Sequence, residues 1–119
     1  VDDKLGTPTY TYDFALGLMR LAESEMFGVY NQVCGGSCSR YDVADEFVNL
    51  LGLAEKIKIN KVSSDYFQKE YFAPRPQSEK LITMKLDARG LNVMRDWRIC
   101  LQEYSQLFRN DLGYSRGLD

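Results

Sequence analysis

The sequence predicts an α/β domain in which helices cover a short, mostly parallel sheet, and three observations lead to this prediction. The chain has 119 residues, of which 45% are hydrophobic, enough for one ordinary core. Helical and strand-like patterns alternate over residues 7–62, and glycines stand at the joints between them. Short connections in such an alternating order favour parallel strands packed against helices.

The first helix is predicted to begin near Thr7, whose side chain can cap it, with Pro8 at the first helical position. Apolar residues at helical spacing predict its buried face: Phe14, Leu18, Leu21 and Ala22. Gly28 is expected to end this helix. Residues 29–33, VYNQV, begin and end with valine and precede two glycines, a pattern that predicts a strand.

A second helix and a second strand follow. Ser39 is a capping residue, and Asp42, three positions later, completes a capping box. Gly52 is expected to end this helix, whose apolar stripe includes Phe47. Residues 56–62, KIKINKV, alternate isoleucine with polar residues and predict a half-buried strand.

The next part of the chain is irregular. Residues 63–80 show no periodicity and are predicted to form a long ordered loop. Two prolines within it restrict the residues that precede them, Ala73 and Arg75, to extended backbone. The pattern of residues 79–90 fits either a short helix or a strand, and a short helical turn is favoured.

The last element is a long helix. It is predicted to begin with Asn92 as its cap, and its apolar face extends from Val93 to Phe108. The polar segment 109–119 is expected to fray. We therefore assign the domain to residues 1–108.

The charge balance disfavours nucleic acid as a partner. Lys and Arg number 15 and Asp and Glu 17, which gives a formal charge of −2 with both signs interspersed. No apolar run approaches the roughly 20 residues of a membrane-spanning helix, and no charged-then-apolar leader begins the sequence. We therefore expect a cytoplasmic protein that binds neither nucleic acid nor membrane.

The sequence carries no catalytic, dinucleotide-binding or metal-binding motif. Without histidine it lacks the base of Ser/His/Asp and Cys/His arrangements, and it contains no G-x-G-x-x-G. The cysteines, Cys34, Cys38 and Cys100, are odd in number and indicate reduced thiols, and the CGGSC spacing differs from the C-x2-C of zinc and redox sites. We expect no catalytic, cofactor-binding or metal-binding residue in this chain.

Motifs at matching spacing occur in three stretches: DDKLGTPTYTYDFA, GVYNQVCGGSCSRYDVADEF and APRPQSEKL. They resemble the segments D-Q-x-G-x-P-T-x-x-x-D-L-A, G-x-Y-H-x-x-G-x-G-x-x-S-W-Y-E-F-A and R-P-x-N-S-x-L of the dTDP-4-dehydrorhamnose reductase family. The resemblance covers residues 2–104. The chain departs from the motifs at Lys4 (usually glutamine), Asn31 (histidine), Arg40 (tryptophan) and Ser78-Glu79 (Asn-Ser).

The resemblance implies a two-domain extended short-chain dehydrogenase/reductase of the NAD-dependent epimerase/dehydratase superfamily. An N-terminal Rossmann domain would bind NADPH or NADH and supply the catalytic tyrosine and lysine, and a smaller C-terminal lobe would bind a dTDP-4-keto sugar. This chain resembles the lobe. We therefore expect a fragment that is inactive alone and that works with the Rossmann domain of the same chain.

The resemblance also selects candidate substrate-binding residues: Arg75, Lys4, Pro8 and Thr9. Arg75 is implied to reach the substrate diphosphate, because a planar guanidinium can meet two phosphate oxygens at once. Alternatively, it pairs with a carboxylate that pins the loop. Capping and turn chemistry explains Pro8 and Thr9 without a binding role, and solvation explains Lys4.

Two other functions remain open. The same fold family includes a non-catalytic regulatory subunit that binds methionine adenosyltransferase, and a stand-alone interaction module of this fold is the second alternative. A lobe severed from its partner domain should expose an apolar face, whereas a stand-alone module should not.

Overall fold

A computed structural model of the chain describes residues 1–67 and 76–116, with side chains up to residue 111. Its elements, in chain order, are β1 (Leu5–Gly6), α1 (Thr11–Ser24), β2 (Cys38–Ser39), α2 (Arg40–Leu50), a 3-10 turn (Ser64–Phe67), α3 (Met84–Ala88) and α4 (Trp97–Arg116). The α/β class is confirmed, with most of the described regular structure in helices.

The sheet is small and antiparallel, so the mostly parallel sheet predicted from the sequence is not confirmed. In the sheet formed by β1 and β2, Leu5 pairs with Ser39 and Gly6 with Cys38. Parallel pairing among the described residues is limited to isolated bridges, one of which joins Leu5 to Ser78.

The two strands predicted for residues 29–33 and 56–62 are wrong. Neither segment has strand pairing within the described part of the chain. The N–H of Ile57 donates instead to the carbonyl of Leu53, in a turn that follows α2. Both patterns suit a strand, but a strand forms only where a neighbour takes up its backbone hydrogen bonds.

The first helix begins later than predicted. It starts at Thr11, and its N-cap residue, Tyr10, makes no side-chain capping bond. Thr7 Oγ1 accepts a hydrogen bond from the N–H of Leu81 at 3.1 Å, and the Pro8 carbonyl accepts one from Cys34. Tertiary contacts therefore hold Thr7 and Pro8 in a loop, and the capping explanation of these residues is wrong.

The buried face of α1 also differs from the prediction. Asp13 and Gly17 are buried, whereas Phe14 and Leu18, from the predicted apolar stripe, are exposed. Gly17 admits the side chain of Gln32, because a Cβ at position 17 would lie 2.1 Å from Gln32 Nε2. The helix therefore turns much of its apolar surface to solvent.

Local predictions for α2 and α3 are confirmed. The capping box of α2 is complete: Ser39 Oγ accepts from the N–H of Asp42 at 3.1 Å, and Asp42 Oδ2 accepts from the N–H of Ser39 at 2.8 Å. Gly52 follows the end of α2. The predicted helical turn is α3.

The long helix α4 begins at Trp97, and its cap is Asp96, whose Oδ1 accepts from the N–H of Arg98 at 2.9 Å. The predicted cap, Asn92, instead donates from its side-chain amide to Thr83 and Asp87, at the two ends of α3. α4 continues through Arg116, into the segment that was expected to fray. The domain boundary at residue 108 stays a prediction.

The core lies where α4 meets β2 and the loop before it. Its buried cluster consists of Cys34, Cys38, Trp97 and Cys100. Aromatic rings of α2 and α4 pack against one another, with centroids 5.4 to 6.1 Å apart: Phe47, Tyr104 and Phe108. No helix within residues 1–67 and 76–116 has the length and hydropathy of a membrane span.

Candidate functional site

The three motif-bearing stretches come together at β1. Leu5 pairs with Ser39 on one side and forms a parallel bridge with Ser78 on the other. The N–H of Leu5 donates to the Gln77 carbonyl at 3.0 Å, and the Leu5 carbonyl accepts from the N–H of Glu79 at 2.8 Å. One residue therefore joins segments that lie far apart in the sequence.

A second anchor fixes the chain just before residues 68–75. The Asp3 carboxylate accepts from the backbone N–H of Ser64 at 2.8 Å and from its hydroxyl at 2.7 Å. These hydrogen bonds hold the pKa of Asp3 below its usual range, chiefly through the Ser64 hydroxyl. The chain on both sides of residues 68–75 is thus tied to residues 3–5.

A small cavity of about 100 Å³ opens at the residues that follow β1. Pro8 and Thr9 form part of its wall, and the core residues Cys34, Trp97 and Cys100 form another part. Pockets for drug-sized ligands span roughly 300–1,000 Å³. The cavity can therefore hold a small group but not a nucleotide sugar.

Three of the four predicted binding residues lie in one short stretch of chain. Lys4 directly precedes β1 and is half-buried, Pro8 is half-buried and Thr9 is exposed. The fourth, Arg75, lies outside the described residues. No described contact assigns a ligand to any of the four, and their binding role stays a prediction.

An ion network around the buried Asp13 is the main feature that the sequence does not predict. Asp13 is 2% exposed and lies in the first turn of α1. Arg95 donates to its carboxylate from Nη2 at 2.7 Å and from Nε at 3.0 Å, and the backbone N–H of Arg95 donates at 3.2 Å. Arg95 Nη1 donates to Glu103 at 2.7 Å, and the Tyr10 hydroxyl donates to the same carboxylate at 3.1 Å.

The network shifts the pKa of each of its members. Hydrogen bonds from Arg95 lower the pKa of Asp13 against the opposing effect of burial, and Arg95 likewise lowers the pKa of Glu103. The pKa of Arg95 is raised, mainly by Asp13 and then by Glu103. Burial, followed by the hydrogen bond to Glu103, raises the pKa of Tyr10.

This network is structural in character. The guanidinium of Arg95 bonds to two carboxylates, an arrangement that ties α1 to α4 and competes with any phosphate for the same donors. Its sequence signal is weak: Asp13 interrupts an apolar run, and its partner is 82 positions away. Among the described residues, no three Cys, Asp or Glu side chains meet as metal ligands would.

Comparison with known proteins identifies the family. The model of the RmlD substrate binding domain matches residues 1–110 of the chain. The chain belongs to this family. The resemblance to dTDP-4-dehydrorhamnose reductases that the three motifs carry is thereby confirmed.

Several known proteins are similar to this chain over most of its length. The spore coat polysaccharide biosynthesis protein SpsK of Bacillus subtilis (strain 168) is 33% identical over 106 residues, which cover 89% of this chain and 35% of that protein. A dTDP-4-dehydrorhamnose reductase of Clostridium acetobutylicum ATCC 824 superposes with a TM-score of 0.84 at 30% identity, covering 92% of this chain and 38% of that one.

A further structure shows an RmlD-type relative with a cofactor. The dTDP-4-dehydrorhamnose reductase of Bacillus anthracis str. Ames, in complex with NADP, superposes with a TM-score of 0.74 at 25% identity, covering 85% of this chain and 34% of that one. The chain spans about a third of the length of the curated relatives it matches.

Proposed function

We propose that this chain is the substrate-binding lobe of an NAD(P)-dependent reductase that acts on the 4-keto group of a dTDP-linked sugar. The observation that supports this most directly is the junction at Leu5, where β1 bonds to β2 and to the Gln77–Glu79 backbone. These backbone contacts bring the three motif-bearing stretches together, as a shared binding surface would require.

The substrate contacts that we propose lie around this junction. Arg75 would meet the diphosphate, since its planar fork matches two phosphate oxygens and the prolines beside it limit the freedom lost on binding. Lys4 would add positive charge, and Pro8 and Thr9 would border the sugar. The hydrogen bonds of Asp3 and Leu5 support this grouping, because they anchor both flanks of residues 68–75 beside Lys4.

The partner that we propose is a Rossmann domain docked on the apolar surface of α1 and the residues that follow it. Phe27 is 90% exposed and Val29 is 87% exposed, and the helix itself exposes Leu16, Leu18 and Met19. Several large exposed apolar side chains within one segment are what an interaction site would present. The observation favours a lobe of a larger protein over a stand-alone module.

Chemistry would be divided between the two domains. NADPH or NADH on the Rossmann domain would supply hydride to the 4-keto carbon, because this sequence has no glycine-rich dinucleotide-binding turn of its own. The residues of this chain would bind and orient the sugar nucleotide and help to exclude water. We therefore expect the isolated chain to be inactive.

A chimera tests the proposal. The chain would replace the corresponding third of the Bacillus anthracis reductase, whose binding of NADP provides an independent control for folding. We expect the chimera to oxidise NADPH in the presence of dTDP-4-dehydrorhamnose. Arg75→Ala should raise KM for the substrate by about tenfold or more, as expected when a charge-assisted hydrogen bond of roughly 1.5–3 kcal/mol is lost.

Lys80→Ala provides the matched control, because Lys80 is an exposed cation on the same stretch. It should change KM little. A chimera that binds NADP normally but does not turn over at any substrate concentration would overturn the proposed function. Equal effects of the two substitutions would remove Arg75 from the site.

A further inference from the structure

Two buried thiols face each other across the core. Cys34, in the loop before β2, and Cys100, on α4, are 2% and 3% exposed, and their sulfur atoms lie 3.9 Å apart. The N–H of Tyr10 donates to Cys34 Sγ at 3.3 Å, and the Cys100 thiol donates to Asp13 Oδ2 at 3.4 Å. Hydrogen bonds thus run from a backbone amide through both sulfurs to a carboxylate.

The geometry allows a bond between these sulfurs. They are already in van der Waals contact, and a disulfide of about 2.05 Å requires roughly 2 Å of further approach, which rotations of both side chains can share. Both cysteines also line the cavity of about 100 Å³, which gives a small neutral oxidant room beside the sulfurs. Cys38 is buried in the same cluster but does not line this cavity.

We propose that Cys34 and Cys100 form a reversible oxidation site, in which hydrogen peroxide converts the two thiols into a disulfide that links the loop before β2 to α4. This inference is independent of the proposed substrate. Cys38 is buried like Cys34 and Cys100 but is expected to stay reduced, so oxidation should distinguish the three thiols.

The sulfur of Cys34 makes the first attack. The Cys100 thiol is less suited to this step, because burial and its hydrogen bond to Asp13 raise its pKa to about 12. As Cys34 attacks, its S–O bond forms and the peroxide O–O bond breaks. The departing hydroxide takes the Cys34 proton and leaves as water, so that Cys34 becomes a sulfenic acid.

The sulfur of Cys100 then resolves the sulfenic acid. As that sulfur attacks Cys34, the S–S bond forms and the S–O bond breaks. The Cys100 proton moves to the departing hydroxide, which leaves as a second water. The two sulfurs together lose two electrons, and the peroxide gains them.

The disulfide would also constrain the neighbouring turn. The N–H of Cys34 bonds to the Pro8 carbonyl, and its sulfur accepts from the N–H of Tyr10. A covalent bond between Cys34 and α4 would therefore also restrict Pro8 and Tyr10, which are hydrogen-bonded to Cys34. We expect the amide of Cys34 to exchange more slowly with solvent in the oxidised protein.

Mass mapping of the oxidised protein tests the inference. The purified protein is treated with hydrogen peroxide, its remaining thiols are alkylated in denaturant, and it is digested without reduction. The expected product is a peptide pair joined through Cys34 and Cys100, with Cys38 alkylated. Dithiothreitol should restore three free thiols.

Serine variants provide the controls. Cys34→Ser and Cys100→Ser should abolish the cross-link, whereas Cys38→Ser should preserve it. A dominant disulfide that includes Cys38 would overturn the inference, and so would peroxide treatment that leaves all three thiols of the natural sequence reduced or gives only singly oxidised cysteines. The natural sequence alone decides between these outcomes, even if a serine variant does not fold.

Discussion

Asp13→Asn, at the centre of the buried ion network, is the substitution from which we expect the largest loss of stability. The carboxylate of Asp13 accepts from Nε, Nη2 and the backbone N–H of Arg95, and from the thiol of Cys100. Asparagine has nearly the same shape. It removes the negative charge, however, and directs an amide N–H₂ at groups that are themselves donors.

The expected loss in the free energy of unfolding depends on how deeply Asp13 and Arg95 are buried. Breaking a fully buried ion pair costs roughly 3–5 kcal/mol, because one charge is left uncompensated. Asp13 is 2% exposed, but the Arg95 side chain is 36% exposed, so water can partly solvate the guanidinium once its partner is gone. We therefore reduce the expected loss in the free energy of unfolding to about 2–3 kcal/mol.

Urea unfolding of the purified protein measures this loss. Trp97 is the single tryptophan of the sequence and is buried, so its fluorescence reports the loss of the core. Glu103→Gln is the matched control, because it removes the second carboxylate bound to Arg95 at a site that is 39% exposed. We expect a much smaller effect there, with an unchanged dependence on urea concentration in both variants.

If Asp13→Asn destabilises the protein no more than Glu103→Gln does, the buried network does not stabilise the fold as argued.

The pH dependence of stability gives a second test. Because the pKa of Asp13 is lower in the folded state, its contribution is complete above the unfolded carboxyl value of about 3.9 and is lost as the pH falls through the folded value. Asp13→Asn should therefore flatten the loss of stability below about pH 4, leaving the part due to Asp3, Asp42 and Glu103.

Three further predictions concern the loop before β2, the cap of α2 and the apolar surface. Gly36→Ala should lower the free energy of unfolding in urea by about 2 kcal/mol. At this position φ is +82° and a Cβ would lie 2.9 Å from the indole of Trp97. The control Gly6→Ala should cost far less, because no atom lies within 4 Å of its Cβ position. Ser39→Ala should cost about 1 kcal/mol through loss of the capping box, with α2 fraying in hydrogen exchange. Val29→Asp should leave the stability of the chain unchanged, because the side chain is 87% exposed, but should reduce turnover of the chimera.

Each of these predictions has a contradicting result. Equal losses from the two glycine variants would mean that the close approach of the loop to Trp97 is not limiting. An unchanged hydrogen-exchange rate at the start of α2 would separate Ser39 from helix stability. Full turnover by a Val29→Asp chimera would exclude this part of the apolar surface from the domain interface.

The sequence predicted best the features that are formed by residues close together in the chain. The capping box of α2 depends on two residues three positions apart, so its signal and its structure occupy the same short segment. The contacts of Asp13 with Arg95, in contrast, join residues 82 positions apart, and nothing in the sequence near either residue encodes the pairing. The start of α1 was missed for the same reason, since Thr7 bonds to the distant Leu81.

The candidate site was predictable to a similar extent. The order and spacing of the three motifs indicated the family and the stretch that holds Lys4, Pro8 and Thr9. They did not indicate that the three motif-bearing stretches bond to one another through Leu5. The pairing of β1 with β2 involves two residues of each strand, too few to leave a periodic pattern.

The orientation of α1 is the most informative error. The prediction that Phe14 and Leu18 are buried assumed that the chain itself covers its apolar residues, yet the buried residues of α1 are Asp13 and Gly17. An amphipathic pattern indicates that a face should be covered but not what covers it. A stand-alone module would bury this face, so its exposure argues for a partner domain, as we propose.

The same exposure leaves the regulatory alternative open, because a non-catalytic member of the fold family would dock on a Rossmann domain through an equivalent surface. Within this chain, the two functions would differ at the proposed substrate contacts, Arg75 and Lys4, rather than on α1. A lobe that had lost substrate binding would still complete the fold of the chimera and support NADP binding, but it would not orient the sugar nucleotide. Normal NADP binding without turnover would therefore favour a regulatory role, whereas turnover that depends on Arg75 would assign the lobe to a working reductase.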